Sequence, residues 1–263
     1  MNQVAVFSGA LHYEFRMQIR RRGLWIMFIC LTLVISGLFR GIAASTFVSL
    51  LLNPLHEAWT TEILDWTGHV STFFPIAVGV LLADRLSRDR QVGVDELFVT
   101  MPGALSARLL GKYLGSIGAT LVPLLAYYII GVDCVLYQSG DARVLPFALA
   151  TFAASVLPGI AFISAFSIAC PAILWVPLYQ FLFIGYWFWG NLLGPGTGIP
   201  TLSHTLLTPI GDYIRSGLFE DHRGPITQAS ILLGIGSMLL LLGVAVLVLV
   251  ALWKFLRWQQ ARM

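Results

Sequence analysis

The sequence predicts an all-α polytopic membrane protein, one domain over residues 1–263 with six transmembrane helices, and three observations carry that expectation. The chain is 57% hydrophobic and only 11% charged, against roughly 45–50% and 25% in soluble domains. A water-soluble fold of that composition would expose too much apolar surface. The apolar residues gather in six runs, 23–39, 66–83, 114–132, 144–169, 171–193 and 231–253, of about the length that crosses a bilayer as a helix. Lys and Arg concentrate in alternate connections between those runs. Backbone in lipid must satisfy its own hydrogen bonds, and no run has the polar–apolar alternation of a barrel strand, so the spans are helices.

Orientation follows from the cations. Arg16, Arg20, Arg21, Arg22, Arg85, Arg88, Arg90, Arg108, Lys112, Lys254, Arg257 and Arg262 fall on one side, and Arg40, Arg143, Arg215 and Arg223 on the other. Positive residues stay inside, which places both termini and residues 84–113 in the cytoplasm, and the chain in the cell (inner) membrane. Trp25, Tyr113, Trp253 and Trp258 then mark the inner boundary, and Trp59, Trp66, Tyr137 and Trp189 the outer one, as an aromatic belt does.

The elements follow in order. In residues 1–22, Phe7, Leu11, Phe15 and Ile19 recur every four positions while Glu14, Arg16, Gln18, Arg20 and Arg21 fall largely elsewhere, the pattern of an amphipathic helix in the inner interface. The run 23–39 also follows an Arg-rich flank, as a secretory signal does, but the flank is long and Gly41-Ile42-Ala43-Ala44 is a poor cleavage site, so it is read as a retained span. The second run is short and contains Pro75 and Gly79; only Cys170-Pro171 separates the fourth from the fifth, which demands a tight turn. Two outer connections are long. Arg40–Asp65 carries Glu57, Glu62 and Asp65, and 194–225 opens on GPGTGIP and continues into a helical pattern over Leu202–Leu218. Leu206, Leu207, Ile210 and Ile214 in that pattern suggest a re-entrant helix or one resting on the outer leaflet. Cys30, Cys134 and Cys170 stand singly in or beside apolar runs and read as small buried residues.

The segment Ala83–Tyr113 holds nine of the chain's charged residues between two apolar runs. Asp84, Arg85, Arg88, Asp89 and Arg90 carry the second span into water, and Gly93 interrupts it. Val94–Met101 forms a short amphipathic helix with Asp95 and Glu96 on its exposed side, and Pro102-Gly103 ends it, as Pro and Gly do. Apolar anchors inside a charged rim are the anatomy of a small docking surface.

This stretch resembles the intracellular loop of the ABC-2 family of ABC-transporter permeases. Ser87-Arg88-Asp89-Arg90, Gly93, Asp95-Glu96-Leu97, Pro102 and Leu109-Leu110-Gly111-Lys112-Tyr113-Leu114-Gly115 carry the resemblance. Tyr13-Glu14-Phe15-Arg16, followed by basic residues and a span, resembles the family's connecting helix. Ala104-Leu105-Ser106 departs from the family pattern and leaves the subgroup open. The resemblance implies that Val94–Met101 is a coupling helix seated on a separate ATPase subunit, with Arg88, Asp89, Arg90, Gly93, Asp95, Glu96, Leu97, Phe98 and Pro102 forming the docking site. Glu14, Arg16 and Arg20 would belong to the connecting helix. It also implies a dimer with a second or related permease copy, and ATP and Mg bound by the partner.

The chain has no phosphate loop of its own: the GxxxxGK[ST] spacing ending at Lys112 would need Gly at 106 and Ser or Thr at 113, where Ser106 and Tyr113 stand. The five histidines are scattered, no hydrolase or zinc motif appears, and neither catalysis, a metal nor a nucleic-acid partner is expected. No acidic residue falls deep in a span. Intramembrane acids normally mark proton or ion pathways, and their absence favours energy supplied from elsewhere. The fifth span is crowded with rings; Phe73, Phe74, Tyr179, Phe183 and Tyr186 are the candidates for a path taking an amphipathic or lipid-like substrate, with the second and fifth spans of two protomers meeting there by resemblance. The same rings also suit plain packing and outer-belt anchoring. The expected function is the permease subunit of an ATP-driven exporter. The rival readings are a self-standing carrier or channel, a membrane enzyme or assembly factor, for which no cluster of His, Asp or Ser near an interface is found, and an ABC-2-like immunity or sensing subunit.

Overall fold

Hydrophobic runs of this length leave the backbone no partner but itself, and in the computed structural model, which describes residues 3–38, 58–85, 104–193, 198 and 201–262, every element is helical. The elements are α1 (Gln3–Ile19), α2 (Arg22–Leu38), α3 (Trp59–Leu82), α4 (Leu105–Ser139), α5 (Val144–Ala172), α6 (Val176–Trp187), α7 (Asp212–Phe219) and α8 (Ile231–Gln260). Three of them, α4, α5 and α8, are long and apolar enough to cross a membrane. Leu149 (69% exposed) and Leu247 (67% exposed) project outward from α5 and α8, and these helices fit a membrane-embedded protein.

The boundaries differ from the sequence expectation in ways the chemistry explains. The second run begins seven residues early, at Trp59, because Asp65 finds a cationic partner (Arg223) and so need not end the helix. Asp65, His69, Ser71 and Thr72 also dilute the apolar character of α3. The third run lies inside α4, which spans 35 residues, about 50 Å. It ends where Gly140 adopts a left-handed conformation (φ 63°) and donates its N–H to Leu136 O at 2.9 Å, the usual glycine stop. Within α5 the helix widens into a π turn at Phe152–Val156 and tightens into a 3-10 turn at Cys170–Ala172. The expected turn follows, and α6 starts only at Val176, with Pro177 in its first turn. The fifth apolar run is therefore continuous helix only from Val176: α6 covers 12 residues and a π turn continues it over Phe188–Leu192.

The pattern over Leu202–Leu218 is helical only from Asp212 to Phe219. Thr205 and Thr208 turn their hydroxyls onto Leu202 O, and Gly211 takes a positive φ of 80°, so residues 201–211 run as turns. Ile210 and Ile214 face the interior, 4% and 0% exposed, with Ile210 in one apolar cluster with Ile163 and Trp187. The segment is seated on α5 at Gly159, where an added Cβ would lie 2.2 Å from Pro209 O.

Two contacts set the rest of the frame. Trp66 of α3 lies over Gly131 of α4 and donates its Nε1–H to Tyr128 O at 3.1 Å. Below it, α1 lies along α4 on Gly111, Gly115 and Gly118; a Cβ at Gly115 would stand 2.6 Å from Leu11 O. Small residues at such spacing let helix backbones approach closely.

Candidate functional site

The expected docking residues Arg88, Asp89, Arg90, Gly93, Asp95, Glu96, Leu97, Phe98 and Pro102 lie outside the described residues, as does the rest of 86–103. Both roots of that segment are described, and both are bound. Asp84 and Arg85 follow α3 directly. Arg21, at the corner between α1 and α2, grips Asp84 with two hydrogen bonds, Nη1 to Oδ1 at 3.2 Å and Nη2 to Oδ2 at 2.7 Å, the strong two-pronged geometry of a guanidinium on a carboxylate. Arg85, 2% exposed, places Nε 3.4 Å from Oε1 of Glu14, 5% exposed, and the same oxygen accepts from Ser116 Oγ at 3.0 Å. Lys112 Nζ donates to Arg85 O at 3.2 Å. Asp84 and Arg85 just before the segment, Lys112 and Ser116 of α4, and Glu14 and Arg21 at the N-terminal end are thus tied together by polar contacts.

Of the residues assigned to the N-terminal helix, the structure buries Glu14 and leaves Arg16 and Arg20 exposed. The buried ridge of α1 includes Glu14 and Gln18, the latter 1% exposed, whereas Phe7, Leu11, Phe15 and Ile19 are only partly covered. Gln18, Arg21, Arg85 and Ser116 are the residues that sequence periodicity missed. The glycines at 111, 115 and 118 were the available signal, since a small-residue groove on α4 calls for a helix to fill it.

The ring residues separate into two groups. Tyr179 and Phe183 stack at 5.8 Å, Tyr179 Oη lies 2.9 Å from Ser167 Oγ, and Phe183 covers Gly79 of α3. Gln180 Nε2 donates to Val80 O at 3.0 Å and Trp187 Nε1 to Thr72 O at 2.9 Å, fastening α6 to α3 within one protomer. Phe74 instead sits in the core between Phe28 at 5.6 Å and Tyr127 at 4.5 Å, and Phe73 packs on His69 at 5.0 Å. Tyr186 is 38% exposed and meets Trp189 edge-on.

A second charge cluster lies at the other end of α3. Arg215 of α7, 5% exposed, donates from Nη2 to Asp212 Oδ1 at 2.7 Å and from Nε to Asp221 Oδ2 at 3.1 Å, and its guanidinium lies against Gly68. Arg223 reaches Asp65 at 2.9 Å. Burial, then the charges of Asp221 and Glu62, push Asp65 up to about 6, outweighing the pull of Arg215. A carboxylate raised above its ordinary value binds its proton more tightly in the fold than in the unfolded chain. This contribution to stability is therefore full below about pH 4 and is lost as pH rises through about 6. Asp65→Asn is expected to raise the thermal midpoint in detergent at about pH 7.5 and to change little at about pH 4, because the half-exposed pair with Arg223 contributes little; melting curves of both proteins at the two pH values check it.

No protein-family model matches this chain, and no curated protein matches it. The class that fold and site define is a helical protein with three helices that fit a membrane, in which one buried ion pair, Glu14–Arg85, and one part-exposed pair, Arg21–Asp84, tie the N-terminal region to the end of α3.

Proposed function

We propose that the chain is the transmembrane permease subunit of an ATP-driven ABC-2 type exporter in the cell membrane, with six spans, both termini cytoplasmic, and a second or related permease as its partner. The observation that carries this reading is the set of contacts on both sides of residues 86–103: Arg21 on Asp84 and Glu14 on Arg85 before it, and Lys112 on Arg85 O and Ser116 on Glu14 after it. A force applied to that segment acts on α1, α3 and α4 together, because a buried ion pair that is broken leaves an uncompensated charge. This is the mechanical property a docking segment needs if closure of a separate ATPase is to move the spans. The residue pattern of the segment, Ser87 to Gly115, supports the same reading. ATP and Mg belong to the partner, which supplies the hydrolysis. Tyr179, Phe183 and Tyr186 are the residues of this protomer offered to an amphipathic or lipid-like substrate.

The test is purification of the tagged chain in mild detergent from its native membrane, followed by mass spectrometry of what accompanies it. A stoichiometric ATPase with a phosphate loop supports the proposal; a partner-free protein that transports in liposomes overturns it in favour of a self-standing carrier or channel. With the partner in hand, Glu96→Arg is expected to leave insertion intact and abolish stimulation of ATP hydrolysis. Unchanged stimulation would remove Val94–Met101 from the docking role. An ATPase complex that forms but moves no substrate would point to the immunity or sensing reading.

A further inference from the structure

The apolar run of α8, Ile231–Trp253, is 23 residues long, about 35 Å along the axis. That is enough to cross a hydrocarbon core of about 30 Å, so the last turns, from Lys254 to Gln260, project to the headgroup level. Those turns and the residues just after them carry Lys254, Arg257 and Arg262, all exposed. The chain contains no Asp or Glu after Asp221. Two of the cations lie over ring faces instead: Arg257 is 5.6 Å from the centre of the Trp253 ring and Arg262 is 3.8 Å from that of Trp258. A ring face orients a guanidinium without neutralising it. Trp258 is itself 49% exposed, and an indole in that position suits the membrane interface. A cationic, tryptophan-braced stripe that continues directly from a membrane-crossing helix, with no acid of its own, fits an anionic surface lying in the plane of the headgroups. Arginines also match a phosphate with paired donors.

We propose that the C-terminal end of α8 is a binding surface for anionic phospholipid, with Lys254, Arg257 and Arg262 on the headgroup phosphate and Trp253 and Trp258 in the interface beside it. The proposal does not rest on the export reading, and it holds for whichever leaflet this end of α8 meets.

The full-length protein in detergent micelles is given equal amounts of phosphatidylglycerol and phosphatidylcholine, and the lipid retained through purification is counted by native mass spectrometry. The wild type is expected to retain phosphatidylglycerol at least about tenfold in preference, given the attraction of each cation to an anionic surface, and to lose that preference in about 1 M salt. The triple variant Lys254→Gln, Arg257→Gln, Arg262→Gln alters only exposed side chains and should bring the preference close to one, whereas Arg16→Gln with Arg20→Gln should leave most of it. A wild type without preference would overturn the proposal and leave the stripe to an acidic protein segment. A preference that survives salt, or that survives the triple variant, would overturn it as well. Salt acts on the wild type alone, so the test stands even where the variant folds poorly.

Discussion

Glu14→Leu is expected to destabilise the protein by about 3–5 kcal/mol, the range for stripping one partner from a buried ion pair. Arg85 is 2% exposed and would be left facing an apolar side chain, while Ser116 loses the carboxylate to which it donates. Glu14 lies beside Gly115 at the closest approach of α1 and α4, so the charge is lost where the N-terminal helix packs most tightly. Equilibrium unfolding in mixed detergent micelles measures the loss. Glu14→Leu combined with Arg85→Met should recover much of it, since two apolar groups replace a buried pair at little net cost. If the double variant were as unstable as the single one, packing at Gly115 rather than the charge would be the source. The same double variant separates stability from function: with the proposed ATPase present it should fold yet couple poorly, because its link from residue 85 to α1 is gone.

Arg215→Ala is expected to have an effect of similar size at the other end of α3. Asp212 and Asp221 are 8% and 4% exposed and both bond the one guanidinium. Burial already holds the Asp212 carboxyl above its ordinary range despite Arg215. Without the arginine, two neighbouring buried carboxylates cannot both stay ionised, and one must take up a proton. The cost is about 3 kcal/mol or more at neutral pH and should shrink on acidification, as protonation relieves the repulsion. Melting curves of Arg215→Ala against the wild type at about pH 7.5 and about pH 5 check both sign and size; a deficit independent of pH would mean that lost packing against Gly68, not charge, dominates. Asp212→Asn added to Arg215→Ala should restore part of the stability at about pH 7.5.

The distribution of legible and illegible features has a physical basis in particular residues. The helices over 23–38, 114–132 and 231–253 are legible because a run of apolar residues is a local property, whereas Pro171 falls in the closing turn of α5 and α6 starts only at Val176. The pattern over Leu202–Leu218 departs from a helix because Pro209 and Gly211 break it, and Ile210 packs with Ile163 and Trp187 while Ile214 is fully buried. The packing of Phe74 is set by Phe28 and Tyr127, which belong to other helices and so cannot be read from the second run alone.

The helical character of the chain, its apolar runs that fit a membrane and the placement of its cations are all legible in the sequence, because hydrophobic length and charge placement act locally and need no knowledge of neighbours. Only the tertiary structure decided which polar residues are buried and with whom. Glu14 meets Ser116 across 102 positions and Arg85 across 71, and Arg215 finds its seat on Gly68 of a helix far earlier in the chain. A carboxylate looks equally solvated in any polar stretch of sequence; it becomes a buried tie only when a distant helix brings its cation and excludes the water.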